Sequence, residues 1–440
     1  MKRRSFLAAG LGGVVGALAQ ATPLSPMKLA GLTASELQER YRKELFDVQL
    51  PFWERSGVDH EHGGFMCALD FDGRRVNTNK FHWFQGRGIW VYSFLYNSFG
   101  KNPAHLEVAR KSKEFLLKYA PQSEGRWAEV LSRQGRVIAP SRGDVYAILF
   151  GAEGLQEYAW AARDEQARDT AFSLLRQIFR RSQKPDFRMA DGEEPGFRPQ
   201  GLWMVMLRIA TQALRRWKDP EIEEIARRSV DAVIHRHFNP DTGLNTELLR
   251  FDFSRLPEPA RHTVIGHSIE TLWMIMDEAD RIGDHKLRQT CAERIRRHFE
   301  VGWDPVFGGL VEAVNVDAGC YQWPEERPVG TDLVFRSTGE HLYLKTLWSH
   351  NEALLAMLKV LEGAPADWAV RYFDMSQRLI DEKFSLRQQG LPGYLLFCDR
   401  RFTPQAHGSR QDNYHPLRQL MLSILWLDRW GKAPATEPRL

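Results

Sequence analysis

The chain has 440 residues, of which 43% are hydrophobic and 26% are charged, an ordinary globular composition that suits one large domain or two to three small ones. The formal net charge of +4 gives no sign of a nucleic-acid surface and no reason to expect a strongly charged substrate, although local charged patches stay open. The 14 Trp, 25 Phe and 11 Tyr suit both helix packing and the stacking of sugar rings.

The first 21 residues are typical of an export signal. A basic head, KRR at 2–4, precedes an apolar run and small residues that fit an A-x-A cleavage site ending at Ala21. The sequence RRSFL at 3–7 resembles the twin-arginine motif, with an ordinary secretory signal as the alternative. We therefore expect cleavage, export to the periplasm or beyond, and no membrane span in the mature chain, because the apolar run is too short.

Twelve segments show helical periodicity, and they alternate between two kinds. One kind is apolar on most sides, as in LWMVMLRIATQAL at 202–214, and the other is amphipathic and charged, as in EIEEIARRSVDAVIHRHF at 221–238. Buried helices that alternate with outer ones predict an all-α fold, a single (α/α)6 barrel over 30–435, with a cavity where the inner helices begin. The segments are Ala34–Val48, Ile89–Phe99, Pro103–Tyr119, Asp144–Arg163, Asp164–Arg181, Gly201–Trp217, Pro220–His237, His267–Arg281, Lys286–Glu300, Lys345–Glu362, Pro365–Lys383 and Pro416–Trp430.

Glycine-rich turns separate the helix pairs. DHEHGGF at 59–65, FNPDTGL at 238–244 and GWDPVFGGL at 302–310 form a weak internal repeat, each closing an outer helix. The polar segment Val314–His341 predicts a long loop beside the barrel mouth, either functional or a surface insertion. Neither a phosphate-binding loop nor a dinucleotide glycine motif is present.

The four cysteines argue against a zinc site. Cys67, Cys291, Cys320 and Cys398 are far apart and form no C-x-x-C pair. An exported chain could form one disulfide, which the sequence alone does not choose.

The stretch GHSIETLW at 266–273 places a titratable ring at the start of an apolar helix. Glu270 stands at i+3 from His267 and shares its helix face, so it can orient the imidazole or touch the same ligand. Trp273 lies roughly on the same side, two turns on. The three side chains together exceed what core packing requires.

Three further stretches carry side chains of the same kind. In LKTLWSHNEALLAML, Trp348 and Glu352 share a face, and a carboxylate in an apolar helix needs a partner or a ligand. In DNYHPLRQL, His415 precedes Pro416 and so stands at a helix entrance. In FHWFQGRGIW, Arg87 opens an inner helix and needs oxygen partners.

Two histidines at helix entrances suit proton transfer in both directions, since a histidine pKa lies near neutrality. On opposite sides of a carbon they could epimerise it next to a carbonyl. Hydrolysis is the rival chemistry, with Glu270 and Glu352 as the acid pair. The H-x-H pairs His60/His62 and His235/His237 lie in a turn and at the end of a basic helix, so we expect no metal and no cofactor.

The chain resembles the N-acylglucosamine 2-epimerase family, which includes renin-binding protein, cellobiose 2-epimerases and aldose–ketose isomerases. The resemblance runs in the family's order from about residue 35 to 430 and lies in HGGFMCALDFDG, KFHWFQGRGIWVYSFLY, GHSIETLW, GWDPVFGGL, LKTLWSHNEALLAML and GYLLFCDR followed by YHPLR. It implies an (α/α)6 barrel, a carbohydrate substrate and proton transfer at C2 of the open-chain sugar.

The resemblance also implies roles for individual residues. His267 and His415 match the two acid/base histidines, and Arg87 the arginine that steadies the enediolate. Glu270 matches the carboxylate that helps ring opening or orients its histidine. Three further residues match the substrate-lining set: Trp273, Trp348 and Glu352.

The chain departs from the family pattern at three places. Trp203 stands where cellobiose epimerases carry a further histidine, which favours the N-acylglucosamine branch; Ala406–Arg410 replaces a Gly-Gly-Pro-Lys segment; and the Val314–His341 loop is longer than usual. Aldose–ketose isomerisation, carbohydrate hydrolysis and non-catalytic sugar binding stay as alternatives. The sugar and the oligomeric state, a homodimer included, are left open.

Overall fold

The computed structural model describes residues 27–256, 261–315 and 344–432. The predicted signal at 1–21 lies outside these residues, as does nearly all of the predicted Val314–His341 loop. Besides the short 3₁₀ turns Ser123–Gly125 and Arg387–Gln389, the described residues form twelve helices, as the sequence predicts. These are α1 (Ala34–Lys43, continued by the π-helical turn Glu44–Gln49 and by Leu50–Ser56), α2 (His82–Ser98), α3 (Pro103–Tyr119), α4 (Val145–Ala162), α5 (Glu165–Ser182), α6 (Gln200–Leu214), α7 (Pro220–Asp231, with the π-helical turn Ala232–His237), α8 (Ile265–Ile282), α9 (His285–Gly302), α10 (Leu347–Gly363), α11 (Asp367–Leu379, with the π-helical turn Ile380–Phe384) and α12 (His415–Lys432).

The even-numbered helices form an inner ring and the odd-numbered ones surround it. Neighbouring inner helices pack on one another in order, and α12 returns to touch α2. Helices α3, α5, α7, α9 and α11 each pack on the inner helix that precedes them, while α1 packs on α12 and so joins the two ends of the chain. This arrangement confirms the (α/α)6 barrel.

Burial follows the composition of the two helix types. Thirteen of the fifteen residues of α6 are buried, whereas α7 buries only Ile222, Ile225, Ala226 and Ser229 from its α-helical part. An apolar stripe on one side places a helix outside, and apolar residues all round place it inside. The sequence pattern therefore decides the layer to which each helix belongs.

Short strands occupy the loops, and none among the described residues is longer than three residues. They pair antiparallel in five small sheets: β1 (Lys80–Phe81), β2 (Val130–Leu131) and β3 (Val137–Ala139) in one, then β4 (Phe197–Pro199) with β7 (Leu248–Arg250), β5 (Phe238–Asn239) with β6 (Leu244–Asn245), β8 (His262–Val264) with β9 (Ala313–Asn315), and β10 (Lys345–Thr346) with β11 (Phe397–Cys398). Since β1, β4, β8 and β10 each lead directly into an inner helix, these sheets surround the end of the ring where the inner helices begin.

The glycine-rich repeat builds the same turn at two places. Asp59 accepts from the Gly63 amide and donates its own amide to Gly64, and Asp304 does the same with Gly308 and Gly309. Each aspartate then binds a buried lysine on the strand before an inner helix. The Asp59–Lys80 distance is 2.9 Å and the Asp304–Lys345 distance is 3.0 Å. The repeat thus ties outer-helix ends to inner-helix starts.

Two predicted boundaries are wrong. The first helix was predicted to end at Val48, whereas α1 continues through Leu50–Ser56. The prediction began the second helix at Ile89, whereas α2 begins at His82, so Arg87 lies in its second turn rather than at its opening. Residue Phe81, which precedes the helix, provides no side-chain cap, and the helix leaves a strand directly. The usual capping signal is therefore missing from the sequence.

The described cysteines Cys67, Cys291 and Cys398 are buried free thiols, and Cys320 lies outside the described residues. Among the helices that the structure describes, none has the length and apolar character needed to cross a membrane.

Candidate active site

Each inner helix brings one residue from its first or second turn to a common space, here named the histidine chamber. In helix order these are Arg87, Tyr146, Gly201, His267, Trp348 and His415. The contacts close a circle. Tyr146 and His267 both approach Gly201, Trp348 packs against both histidines, and Arg87 lies over the rings of Tyr414 and Phe150.

His267 is oriented by a carboxylate that sequence reasoning missed. Its Nδ1 lies 3.0 Å from Oε1 of Glu247, a buried residue immediately before β7. Burial lowers the pKa of His267, but the charge and hydrogen bond of Glu247 outweigh it, and with Glu270 and Glu312 they raise the pKa to about 9. His267 is therefore protonated at neutral pH. Its side chain is 31% exposed, so a ligand can reach it.

A second buried carboxyl lies near this pair. Glu312 accepts a hydrogen bond from the Thr346 hydroxyl at 3.2 Å, and its main chain joins Ile265 at the start of α8. Burial raises the pKa of Glu312 to about 7, against the lowering effects of His267 and Thr346 and with a further rise from Glu247. Glu312 therefore adds negative charge beside His267 that depends on pH near neutrality.

His415 is held in the same way by a different carboxylate. Its Nδ1 donates to Oδ2 of Asp412 at 2.7 Å, and the Asp412 carboxylate also accepts from the His415 amide. Burial opposes ionisation of Asp412, but His415 and the Arg87 and Arg410 guanidinium groups hold its pKa well below the usual range. The His415 side chain is 9% exposed, at the first residue of α12.

The indole of Trp348 lies between the two histidines. Its ring centroid is 5.3 Å from that of His267 and 5.7 Å from that of His415. Gly266 makes room for it, since a Cβ there would lie 2.5 Å from Cη2 of Trp348. Gly266 thus lets α10 approach the start of α8, so that Trp348 can lie against His267.

Beneath the histidines, Arg418 joins the two predicted glutamates. Its guanidinium binds Glu270 and lies 2.6 Å from Glu352, whose other oxygen accepts the Trp273 indole N–H at 2.9 Å. Burial favours the neutral form of both acids. The charges of Arg418 and His415 nevertheless lower the pKa of Glu270, whereas burial and the Glu270 charge raise that of Glu352. Ligand atoms of Glu270, Glu352 and His415 lie within 4.8 Å of one another, but the Arg418 guanidinium already binds both carboxyl groups.

The placement of Arg87 differs from the prediction of oxygen partners. Its guanidinium lies 4.0 Å from the centroid of Phe150, 5.0 Å from that of Tyr414 and 5.8 Å from that of Trp83. Its Nε is buried and has no hydrogen-bond partner among the described residues. A guanidinium held by aromatic faces keeps its donors for a ligand.

The structure brings all seven predicted site residues to one end of the barrel, but at two depths. His267, His415, Arg87 and Trp348 line the chamber, while Glu270, Glu352 and Trp273 lie buried beneath it. Glu247, not Glu270, binds the His267 ring. Of the H-x-H pairs, His235 is exposed whereas His237 is buried against Thr246, so they do not converge.

Some missed residues carried a sequence signal. Asp412 stands three residues before His415, and Arg418 stands three residues after it. Residues at this spacing lie on the same side of a helix, so both could have been expected near His415. An arginine in the apolar helix that follows also signals a buried ion pair. Glu247 carried no local signal, since it lies 20 residues before His267 and is brought beside it by main-chain hydrogen bonds with Gln200 and His262.

Comparisons with known proteins identify the family of the chain. The sequence profile of the family described as N-acylglucosamine 2-epimerase (GlcNAc 2-epimerase) matches residues 63–391. N-acylglucosamine 2-epimerase from Mus musculus is 29% identical over 73% of this chain and 75% of the mouse protein, and cellobiose 2-epimerase from Bacteroides fragilis is 23% identical over 69% and 83%. The solved cellobiose 2-epimerase from Bacillus thermoamylovorans superposes with a TM-score of 0.73 at 18% identity, covering 89% of this chain and 99% of that one. The chain belongs to the N-acylglucosamine 2-epimerase family and is an enzyme of the isomerase class.

Proposed function

We propose that the protein is a carbohydrate 2-epimerase that moves a proton at C2 of an open-chain sugar with His267 and His415. One observation carries the proposal: each histidine is bound through Nδ1 to its own carboxylate, Glu247 or Asp412. This leaves both Nε2 atoms without a hydrogen bond to any described residue. Two imidazoles fixed in this way around one indole suit proton removal and return.

The charges favour different roles for the two histidines, one as the acid and the other as the base. Because the pKa of His267 is about 9, His267 holds a proton at neutral pH and serves as the acid, and His415 takes the C2 proton as the base. The electron pair left at C2 moves into the enediolate, whose oxygens Arg87 can bind with its free N–H groups. Return of a proton from His267 to the opposite face of C2 gives the epimer.

Hydrolysis is the less favoured chemistry. A hydrolase needs its two carboxyl groups on either side of the scissile bond. Here the Arg418 guanidinium lies between Glu270 and Glu352, and both acids are buried beneath the chamber. Aldose–ketose isomerisation is compatible with the same histidines, and it differs only in returning the proton to C1.

The test is deuterium exchange at C2, followed by NMR in D2O with N-acetylglucosamine, N-acetylmannosamine, glucose, mannose and cellobiose. We expect the 2-epimer with deuterium at C2 for at least one of them. In His267→Asn and His415→Asn we expect rates lower by roughly 10²–10⁴. The control is His285→Asn, an exposed histidine on α9. Full exchange in both site variants contradicts the proposal, and a ketose product identifies an isomerase instead.

A further inference from the structure

A cavity of about 450 Å³ adjoins the histidine chamber and has no role in the proposed proton transfer. Trp83 is a wall of both, since it lines the cavity and its ring faces Arg87 in the chamber. Its indole N–H donates to Asp144 at 2.6 Å, which fixes the ring at the edge where the two spaces meet. The volume falls within the range of small-ligand sites.

The cavity contains a cation that lacks a counter-charge of its own. The Arg410 guanidinium lies 5.3 Å from the ring centroid of Phe84 and 5.2 Å from that of Phe397. It makes no side-chain hydrogen bond or ion pair with any described residue. Burial and the Arg87 charge lower the pKa of Arg410, whereas the Asp412 charge raises it. That aspartate already accepts from the His415 ring.

The other charged groups in the cavity have partners. Arg142 binds Glu129 at 2.8 Å, and Asp144 accepts from Trp83 and lies 3.1 Å from His82 Nε2. Around Arg410 there are therefore two guanidinium groups, its own and that of Arg87, against the single shared carboxylate of Asp412. A partly buried guanidinium without a carboxylate is costly unless a ligand provides the oxygens. Arg410 also ends the Ala406–Arg410 segment, where the sequence departs from the family pattern.

We propose that this cavity is a subsite for an anionic group, a carboxylate, sulfate or phosphate, carried by the sugar whose reacting end occupies the histidine chamber. Arg410 binds the oxyanion, and the Trp83 and Phe84 rings provide the apolar walls. The inference rests on the proposed function in placing a sugar in the chamber. It narrows the substrate class from any aldose to a charged one.

The test measures binding by titration calorimetry, with glucose, glucuronate, glucose 6-phosphate and inorganic phosphate as probes. For the wild type we expect one or both charged sugars to bind at least tenfold more tightly than glucose. Arg410→Gln should lose that advantage, measured relative to the same variant's affinity for glucose, and Arg410→Lys should keep part of it. The matched control is Arg136→Gln, an exposed arginine on the neighbouring β2–β3 hairpin that does not line the cavity.

The outcomes separate this inference from the proposed function. Equal affinities for charged and neutral sugars, or an advantage that survives in Arg410→Gln, overturn the subsite. Inorganic phosphate that binds as tightly as glucose 6-phosphate also overturns it, because the sugar then adds nothing. If charged sugars bind through Arg410 but no sugar exchanges deuterium at C2, the subsite stands and the epimerase proposal fails.

Discussion

Among single residues, Glu247 contributes most to the raised pKa of His267. It accepts from His267 and raises the pKa of that ring to about 9 despite burial. A histidine whose pKa is raised by folding stabilises the folded state fully below about pH 6.5, and that contribution is lost as the pH rises through about 9. Glu247 therefore links the charge of the proposed acid to folding stability.

Glu247→Gln should lower the pKa of His267, because a neutral amide replaces the carboxylate. The alkaline limb of the pH–rate profile for C2 exchange should then move to lower pH, by about 1 to 2 units. An NMR titration of the His267 ring measures the pKa directly. Asp241→Asn, which alters an exposed acid on the nearby β5–β6 turn, is the control. An unchanged His267 titration in Glu247→Gln would exclude this role.

Gly266 controls the distance between α8 and α10. In Gly266→Ala the added methyl would overlap the Trp348 indole, which lies 2.5 Å away, and the Ser349 hydroxyl at the same distance. We expect C2 exchange to fall at least tenfold as the indole between the histidines is displaced. Gly363→Ala, at the far end of α10, has the Arg288 side chain as its nearest neighbour, far from the histidines, and should exchange at the wild-type rate. Equal rates in both variants would show that the indole position is unimportant.

At the scale of elements, the repeated turns hold the inner helices at their starts. Asp304 and Lys345 have fully buried side chains, and Arg400 adds a second cation at 2.9 Å from Asp304. The pair joins the turn after α9 to the strand before α10. Asp59 and Lys80 join the turn after α1 to the strand before α2 in the same way, with Arg133 as the second cation.

Lys345→Met should destabilise the fold by about 3–5 kcal/mol, because it leaves the Asp304 carboxylate buried with only Arg400 as a cationic partner. Urea unfolding measures the free energy of unfolding. Glu39→Gln removes an exposed pair with Lys43 in α1 and should cost less than about 1 kcal/mol. A Lys345→Met protein as stable as Glu39→Gln would mean that the buried pair does not hold the turn.

The presence of each helix could be predicted from the sequence because its apolar pattern is a local property. The residue at which each helix begins was harder to predict. Phe81, Pro199, Val264 and Thr346 precede α2, α6, α8 and α10 without a side-chain cap, since each helix leaves a strand directly. Asp144 does cap α4, and there the predicted boundary agrees closely. The two histidines were accessible from local spacing, whereas Glu247 and Glu312 reach the site through long-range strand pairing.

For the molecule as a whole, the closed ring means that α1 supports the candidate site by packing, although it contributes no residue to it. Helix α1 packs on α12, which carries His415 and Arg418, and Tyr41 of α1 donates to Gln377 of α11. Each inner helix packs on two inner neighbours, so none of them can unfold without disturbing another. We therefore expect the described helices to unfold as one cooperative unit.

Leu45→Ala tests this expectation. Leu45 is fully buried in the π-helical turn of α1, and its truncation should cost about 2–5 kcal/mol. Circular dichroism, tryptophan fluorescence and C2 exchange should then be lost together at one lower urea concentration. Loss of α1 structure with exchange retained would show that the ring can open without disturbing the histidines.

The shared start of the six inner helices has an electrostatic consequence. Each α-helix carries the equivalent of roughly half a positive charge at its N-terminus. Because α2, α4, α6, α8, α10 and α12 all begin at the chamber, the peptide backbone itself generates a positive potential there. This field favours an enediolate over a neutral sugar and stabilises the Glu247 and Asp412 carboxylates. Because the field comes from peptide groups, substitution of either histidine leaves it in place around the reacting end of the sugar.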